Sequence, residues 1–279
     1  MIENPIVRKH QAIKEKASTR KNNLRLFVPI DFSLSSYNAL RYAMHVARMC
    51  EGTIDLFHNL KSDNYSITES PLTVQHEIRK AESKAYKKLS SVKEIINNFG
   101  VNVTSTYVAI GDPVCTLKNR MHETSSHVLV LDKNEKIAKG NDMETPCLYV
   151  PSMIMPMTPN KVLMIRDGRP IHEKSLMPLL EILDHSKNQL TVVDCVQSIK
   201  KMLFRYGITL GNSKIDFTRK FELVHSTVKE LAEVITKYSP DLICQMQKKN
   251  TWWEKLLGIN SSQKIYFEVP TLVIPDSKP

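Results

Sequence analysis

Glycine is scarce in this chain, eight residues among 279, and tryptophan is scarcer, with Trp252 and Trp253 the only two. So few glycines leave no full P-loop, because a phosphate cradle needs glycines for backbone amides to close on the anion. Cysteine is sparse as well: Cys50, Cys115, Cys147, Cys195 and Cys244 are odd in number, far apart and without a CxxC pair. That spacing disfavours a zinc site or a disulfide framework and reads as reduced core or surface thiols. No apolar run reaches the roughly 18 to 20 residues of a membrane span, and the N-terminus lacks the apolar middle of a secretory signal, so a cytoplasmic protein is expected. HExxH and GxSxG are absent and the histidines are scattered, which leaves metal or nucleophilic catalysis without a positive sign.

What is present suits a soluble α/β protein. A length of 279 residues fits two domains of about 100 to 150 residues each, and 42% apolar with 24% charged residues is ordinary globular composition. The net charge of +10 is unevenly placed. Residues 1–25 carry seven Lys/Arg against Glu3 and Glu15, residues 26–152 carry 14 bases and 14 acids, and residues 153–279 carry 18 bases and 13 acids. Half of the excess therefore sits in residues 1–25, most of it on a polar leader, residues 1–22, read as a basic arm. The zone of Lys200, Lys201, Arg205, Lys214, Arg219 and Lys220 lacks interleaved aromatics and reads as a solvated face rather than a nucleic-acid site.

Leu24 to Gly52 organises the first half. Leu24, Leu26, Phe27, Val28 and Ile30 form the near-continuous apolar run of a strand covered on both faces. Asp31 ends it, Ser33, Ser35 and Ser36 can cap a helix start, and Leu40, Ala43, Met44 and Ala47 make one buried stripe before the Glu51-Gly52 stop. An acid at a strand's carboxyl end, facing a helix start, lies where open α/β sheets bind ligands, although a turn aspartate capping its own loop fits equally well. Strands follow at 53–59, 102–109, 128–131 and 147–150, with helices over 73–98 and 113–124. Ile78, Ala81, Ala85, Leu89, Val92 and Ile96 face inward on the longer helix. Alternation of this kind predicts a parallel sheet with helices on both faces.

After the Met- and Pro-rich stretch 153–160 the pattern restarts. A shift of 136 residues carries Asp31 to Asp167, Leu40 to Leu176, Ala43 to Leu179, Met44 to Leu180 and Ala47 to Leu183. Pro146-Cys-Leu-Tyr-Val-Pro151 also matches Pro270-Thr-Leu-Val-Ile-Pro275. The chain reads as a duplicated domain, residues 23–152 and 161–279 joined by 153–160. In the second copy a short helix is expected near 198–206, a loop over 207–213, a strand over 215–223, a helix over 226–238 and a strand over 241–246. If Ser175 caps the helix that carries Pro178, the proline falls in its first turn and no helical bond is lost.

VPIDFSLSSYNALRYAMHVA, the Gly111-Asp112-Pro113 turn and the PCLYVP ending resemble the universal stress protein family in its tandem, two-domain form, over about residues 24–275. The resemblance implies two flavodoxin-like domains of the adenine nucleotide alpha hydrolase-like kind. Each is a five-stranded parallel sheet with helices on both faces. It also implies an intramolecular pseudo-dimer through the terminal strands, 147–150 against 271–274, and leaves room for a further homodimer. That pairing would cover apolar edges. Members that bind ATP share a Gly-x-x-Gly, about nine residues, Gly-Ser/Thr motif after the fourth strand. Here Asp132 and Glu135 fall on the first two glycines, and Gly140 is not followed by Ser or Thr. A carboxylate about 4 Å from a phosphate charge costs roughly 4 kcal/mol at an effective dielectric near 20, on the order of three decades in affinity.

The second copy places Met246 and Lys249 at those positions, with Gly258, Ser261 and Ser262 as a shifted remnant and Trp252 and Trp253 inside the loop. The residues that the resemblance assigns to a vestigial or weak nucleotide pocket are Asp31, Gly111, Asp167, Lys249, Gly258 and Ser261. The expectation is a non-enzymatic stress-response protein without catalytic residues, metal or cofactor, ATP being disfavoured, that acts on a protein partner. Two alternatives stand beside it: a nucleotide- or small-ligand-binding regulator that uses the second domain only, and a basic adaptor for an anionic partner.

Overall fold

The computed structural model describes residues 23–60, 70–133, 145–152, 154, 158–166, 173–184, 189–195, 221–224, 228–246 and 269–275. The basic arm, the readings placed on 198–213 and the first part of the strand expected over 215–223 lie outside the described residues. The order is β1 (Arg25–Pro29), α1 (Leu34–Met49), β2 (Thr53–Leu60), α2 (Pro71–Asn98), β3 (Asn102–Ile110), α3 (Pro113–Thr124), β4 (Val128–Asp132) and β5 (Cys147–Val150). It continues β6 (Lys161–Arg166), α4 (Glu173–Asp184), β7 (Gln189–Cys195), β8 (Phe221–Val224), α5 (Val228–Tyr238), β9 (Leu242–Met246) and β10 (Thr271–Ile274). Among the described residues no helix is long and apolar enough to cross a membrane.

Among the described residues ten strands share one sheet, in the order β3-β2-β1-β4-β5-β10-β9-β6-β7-β8. Every pairing is parallel except the central one, where β5 and β10 run antiparallel with Leu148 opposite Leu272. The two five-stranded halves repeat the same backbone contacts. His127 N–H donates to the Arg25 carbonyl (2.9 Å) as Asp241 N–H does to the Lys161 carbonyl (2.8 Å). Leu129 and Ile243 N–H donate to the carbonyls of Pro146 and Pro270, both at 2.9 Å. In return Arg25 N–H donates to His127 Nδ1 (3.1 Å) and Lys161 N–H to Asp241 Oδ2 (3.0 Å). Ser125 after α3 and Ser239 after α5 are both left-handed, φ 51° and 42°, a conformation that closes helix C-termini.

Local chemistry explains the boundaries. Ser33 caps α1 through Ser36 N–H, Ser70 caps α2 through Thr73 N–H, and Asp112 caps α3 through Cys115 N–H. Pro71 and Pro113 occupy the first turns of α2 and α3, where a missing N–H costs nothing. Gly52 is required by space: a Cβ there would lie 2.3 Å from the Leu24 carbonyl oxygen. Pro178 departs from the sequence expectation. The helix starts at Glu173, so Pro178 lies inside α4 and leaves the Lys174 carbonyl without its helical donor.

Alternation along the strands sorts the core into two layers. Leu26, Val28, Ile54, Leu56, Val128, Val130, Leu148 and Val150 meet α1 and α2 on one face, and that cluster runs on through Leu272, Ile274, Leu242, Cys244, Val162 and Met164 to α4. Phe27, Phe57, Leu129, Leu131 and Cys147 meet Leu117 and Met121 of α3 on the other. α1 buries more than the expected stripe, including Tyr42 and Val46, because it also adjoins the second half: the Cys50 thiol donates to the Glu181 carbonyl of α4. α2 buries Ala85, Leu89, Val92 and Ile96, while Ile78 and Ala81 nearer its start are only half-buried.

His127 gives the fold a pH dependence. Burial, and then the nearby Arg25 charge, hold its imidazole below the ordinary histidine range, and Nδ1 is occupied as an acceptor. The unfolded chain therefore takes up a proton as pH falls below about 6.5 while the folded chain does not. This contribution is complete above that pH and is lost as pH falls towards the lowered folded value. Urea midpoints should decline from pH 7 to pH 5, and His127→Asn, which keeps an acceptor, should flatten the decline. His45, lowered by burial and by Arg41 and Arg48, supplies a residual slope.

Candidate functional site

The carboxyl ends of β1, β2 and β4, facing the start of α1, are where this topology gathers polar side chains. Asp31, just past β1, is exposed, and its Oδ1 accepts the Ser33 N–H at 2.8 Å. Partial burial pushes its carboxyl up, but hydrogen bonds from the Ser33 side chain and backbone and from Ser36 outweigh it and hold the group below the ordinary range. Asp31 thus secures the turn that starts α1. The next residue, Phe32, has φ 65°, and its ring lies 4.6 Å from that of His58 and under Lys88 Nζ at 4.8 Å. His58 Nδ1 lies 2.6 Å from the Ile30 carbonyl; a carbonyl only accepts, so Nδ1 carries the proton.

Asp132 departs from its expected place in the loop: it is the last residue of β4 and only 5% exposed. Its Oδ2 accepts the Ser152 hydroxyl at 2.9 Å, and the Ser152 carbonyl accepts the Asn38 side-chain amide from α1. Lys133 N–H closes on the Val150 carbonyl at 2.9 Å. The carboxylate is thus tied inward, to the segment after β5 and through it to α1.

Gly111 is a turn residue with φ +122°, and a Cβ there would meet only Thr116 Cγ2 at 3.9 Å, so backbone conformation rather than space calls for glycine. Its carbonyl accepts from Asn59 Nδ2 (3.1 Å), and Asn59 Oδ1 accepts the Thr116 hydroxyl (3.1 Å), which fixes the start of α3. Of the residues assigned from the sequence, the structure brings Asp31 and Gly111 to the same edge of the sheet. Asp167, Lys249, Gly258 and Ser261 lie outside the described residues, as do Glu135, Gly140, Trp252 and Trp253.

Sequence reasoning missed Phe32, His58 and Lys88 at this edge, and Asn38 and Ser152, which are far apart along the chain and carry no shared motif. It also missed a buried ionic cluster at the opposite edge. Asp55, fully buried in β2, takes Arg25 bidentately at 2.6 and 3.0 Å, the Ser126 hydroxyl at 3.0 Å and the Ser105 hydroxyl. An acid inside the apolar run TIDLF was the available signal. Among the described residues no group of three His, Cys, Asp or Glu could hold a metal ion. Cys50, Cys115, Cys147 and Cys244 are free thiols, and burial pushes Cys50 and Cys147 up to about 12, far from the thiolate range of reactive cysteines.

No protein-family model and no curated protein matches the sequence. Solved structures do match. A universal stress protein from Archaeoglobus fulgidus DSM 4304 is similar with TM-score 0.66 at 13% identity, over 91% of this chain and 99% of that one. A functionally unknown protein from Pseudomonas aeruginosa PAO1, PA1789, is similar with TM-score 0.58 at 15% identity, over 91% of this chain and 93% of that one. Identities this low speak to architecture alone, and on architecture the chain has the α/β fold of the Archaeoglobus universal stress protein and of the Pseudomonas protein of unknown function.

Proposed function

We propose that this chain is a tandem universal stress protein that acts by binding a protein partner, without catalysis, and that its first half has lost nucleotide binding. The tandem reading is supported by the hydrogen bonds repeated between the two halves and by the β5–β10 junction. The observation that carries the loss is Asp132, buried at the end of β4 and held by Ser152. The resemblance puts a glycine there so that backbone amides can face a phosphate. A buried carboxylate offers acceptors where donors are needed and adds a like charge. The residues of the first half therefore do not fit a triphosphate, and no chemical step is assigned to one.

One observation favours a ligand in the second half as a second reading. Gln245, one residue before the end of β9, is buried, and its side-chain oxygen has no hydrogen-bond partner among the described residues, a costly state that a donor would relieve. Calorimetric titration with ATP and magnesium separates the two. The expected result is no micromolar binding and no phosphate release. Binding that Lys249→Ala abolishes would replace the first reading with the second, and binding that Asp31→Ala abolishes would overturn the loss in the first half.

A further inference from the structure

Two helices on one face of the sheet form a seam of cations without counter-charges. On α1, Leu34, Arg41 and Arg48 recur every seven residues with His45 between them, one helical stripe, and α1 contains no acidic residue. On α2, Lys84, Lys88, Ser91 and Ile95 follow at i, i+4, i+7 and i+11 and make a second stripe without an acid. Side chains bridge the two helices. Lys88 Nζ lies 4.8 Å from the Phe32 ring beside the start of α1, and the ring of Phe99, just past α2, lies 5.0 Å from both Arg48 Cζ and the His45 ring. Arg41, Arg48, Lys84 and Lys88 are exposed, and among the described residues no carboxylate pairs with any of them. Glu77, two turns before Lys84, is taken by His76 at 3.7 Å and Lys80 at 4.0 Å, and Glu82 and Glu94 lie off the stripe. Residues 26–152 carry 14 bases and 14 acids, so the seam is charge segregated within a neutral half.

We propose that the α1–α2 seam docks an acidic amphipathic helix of a protein partner. This rests on the reading that the chain acts through a protein partner, and it adds where that partner binds and what chemistry it presents. Charge rules out two occupants supplied by the chain itself: residues 1–25 carry seven Lys/Arg, and a second copy would present the same cations, so both would be repelled. The apolar side chains on the stripes select among anions. Leu34 and Ile95 are 78% and 62% exposed and aliphatic, which suits the leucine or isoleucine face of a helix laid between two others. Single-stranded nucleic acid stacks its bases on open aromatic faces, whereas the rings beside these cations, Phe32 and Phe99, are occupied by Lys88 and Arg48. Those ring contacts also hold the two cations in place, which lowers the entropy lost when a carboxylate meets them.

The probe is a fluorescein-labelled helical peptide of 16 residues, the length of α1, with glutamates along one face and leucines along the other, titrated by anisotropy. It should bind the full chain with an affinity that falls as salt rises, and Arg41→Glu with Arg48→Glu should weaken binding at least about tenfold. Lys84→Glu with Lys88→Glu, on the other helix, should do the same, so a folding defect in one pair does not decide the result. Lys118→Glu with Arg120→Glu changes the net charge equally but on α3, across the sheet, and should alter binding less than about twofold. Equal weakening by the α3 pair would overturn the seam and leave a protein partner in place. Failure of the peptide to bind would do likewise, since a partner of other chemistry would still stand. Tighter binding of an oligothymidylate of equal length through the same four cations would overturn both this proposal and the protein-partner reading.

Discussion

Replacing Asp55 with alanine should destabilise the protein by about 3–5 kcal/mol, the usual cost of leaving one partner of a buried ion pair alone. Asp55 has no exposed surface and is the common acceptor for Arg25, Ser105 and Ser126. Ser126 is itself 2.6 Å from the Thr124 hydroxyl at the end of α3, so the cluster ties β1, β2 and β3 to the turn that leads into β4. The hydrogen bond with Asp55 is the chief reason the Arg25 guanidinium is held above its ordinary range, against the opposing effect of burial. Removing the carboxylate strands four donor groups from three half-buried residues in one step, and each unsatisfied donor carries its own penalty. Urea unfolding measures the loss. A change below about 1 kcal/mol would place the pair in the class of solvent-screened ion pairs and contradict the burial seen here. The cluster lies at the amino ends of the strands, away from the crevice, so stability should change without any change in ligand binding.

Leu272→Ala should cost about 2–5 kcal/mol, the range for truncating a fully buried leucine. Leu272 is unexposed, sits opposite Leu148 across the antiparallel junction, and belongs to the core cluster that spans both halves. That continuity makes a sharper statement than the magnitude. Unfolding should remain a single transition at a lower midpoint, because the cavity opens in a core that both halves share. Two separated transitions, one at the original midpoint, would show that β5 and β10 pair without coupling the halves.

The strand and helix pattern was legible wherever proline, glycine or a capping residue marks an end. α3 at 113–124, β5 at 147–150 and β10 at 271–274 have the expected bounds, the first set by Asp112-Pro113 and the others by flanking prolines. Pro178 was misjudged because the cap assumed at Ser175 was not where α4 begins. The width of the buried face of α1 was hidden because it depends on α4, more than a hundred residues away. At the crevice, Asp31 and the Gly111 turn could be named from their positions after strands. Nothing local indicated that Phe32 would adopt a positive φ and stack on His58, since that contact forms only once β1 and β2 are paired. Asp132 was recognised as unfavourable to a phosphate, but its burial and its bond to Ser152 depend on where the chain leaves β5.

In the proposed reading the first crevice is closed to a nucleotide by its own residues. A crystal soaked with millimolar ATP and magnesium tests it most directly. Ser152 should stay on Asp132, and no density should lie over the carboxyl ends of β1 and β4. An ordered triphosphate above Asp132, with the Ser152 hydroxyl displaced, would contradict it.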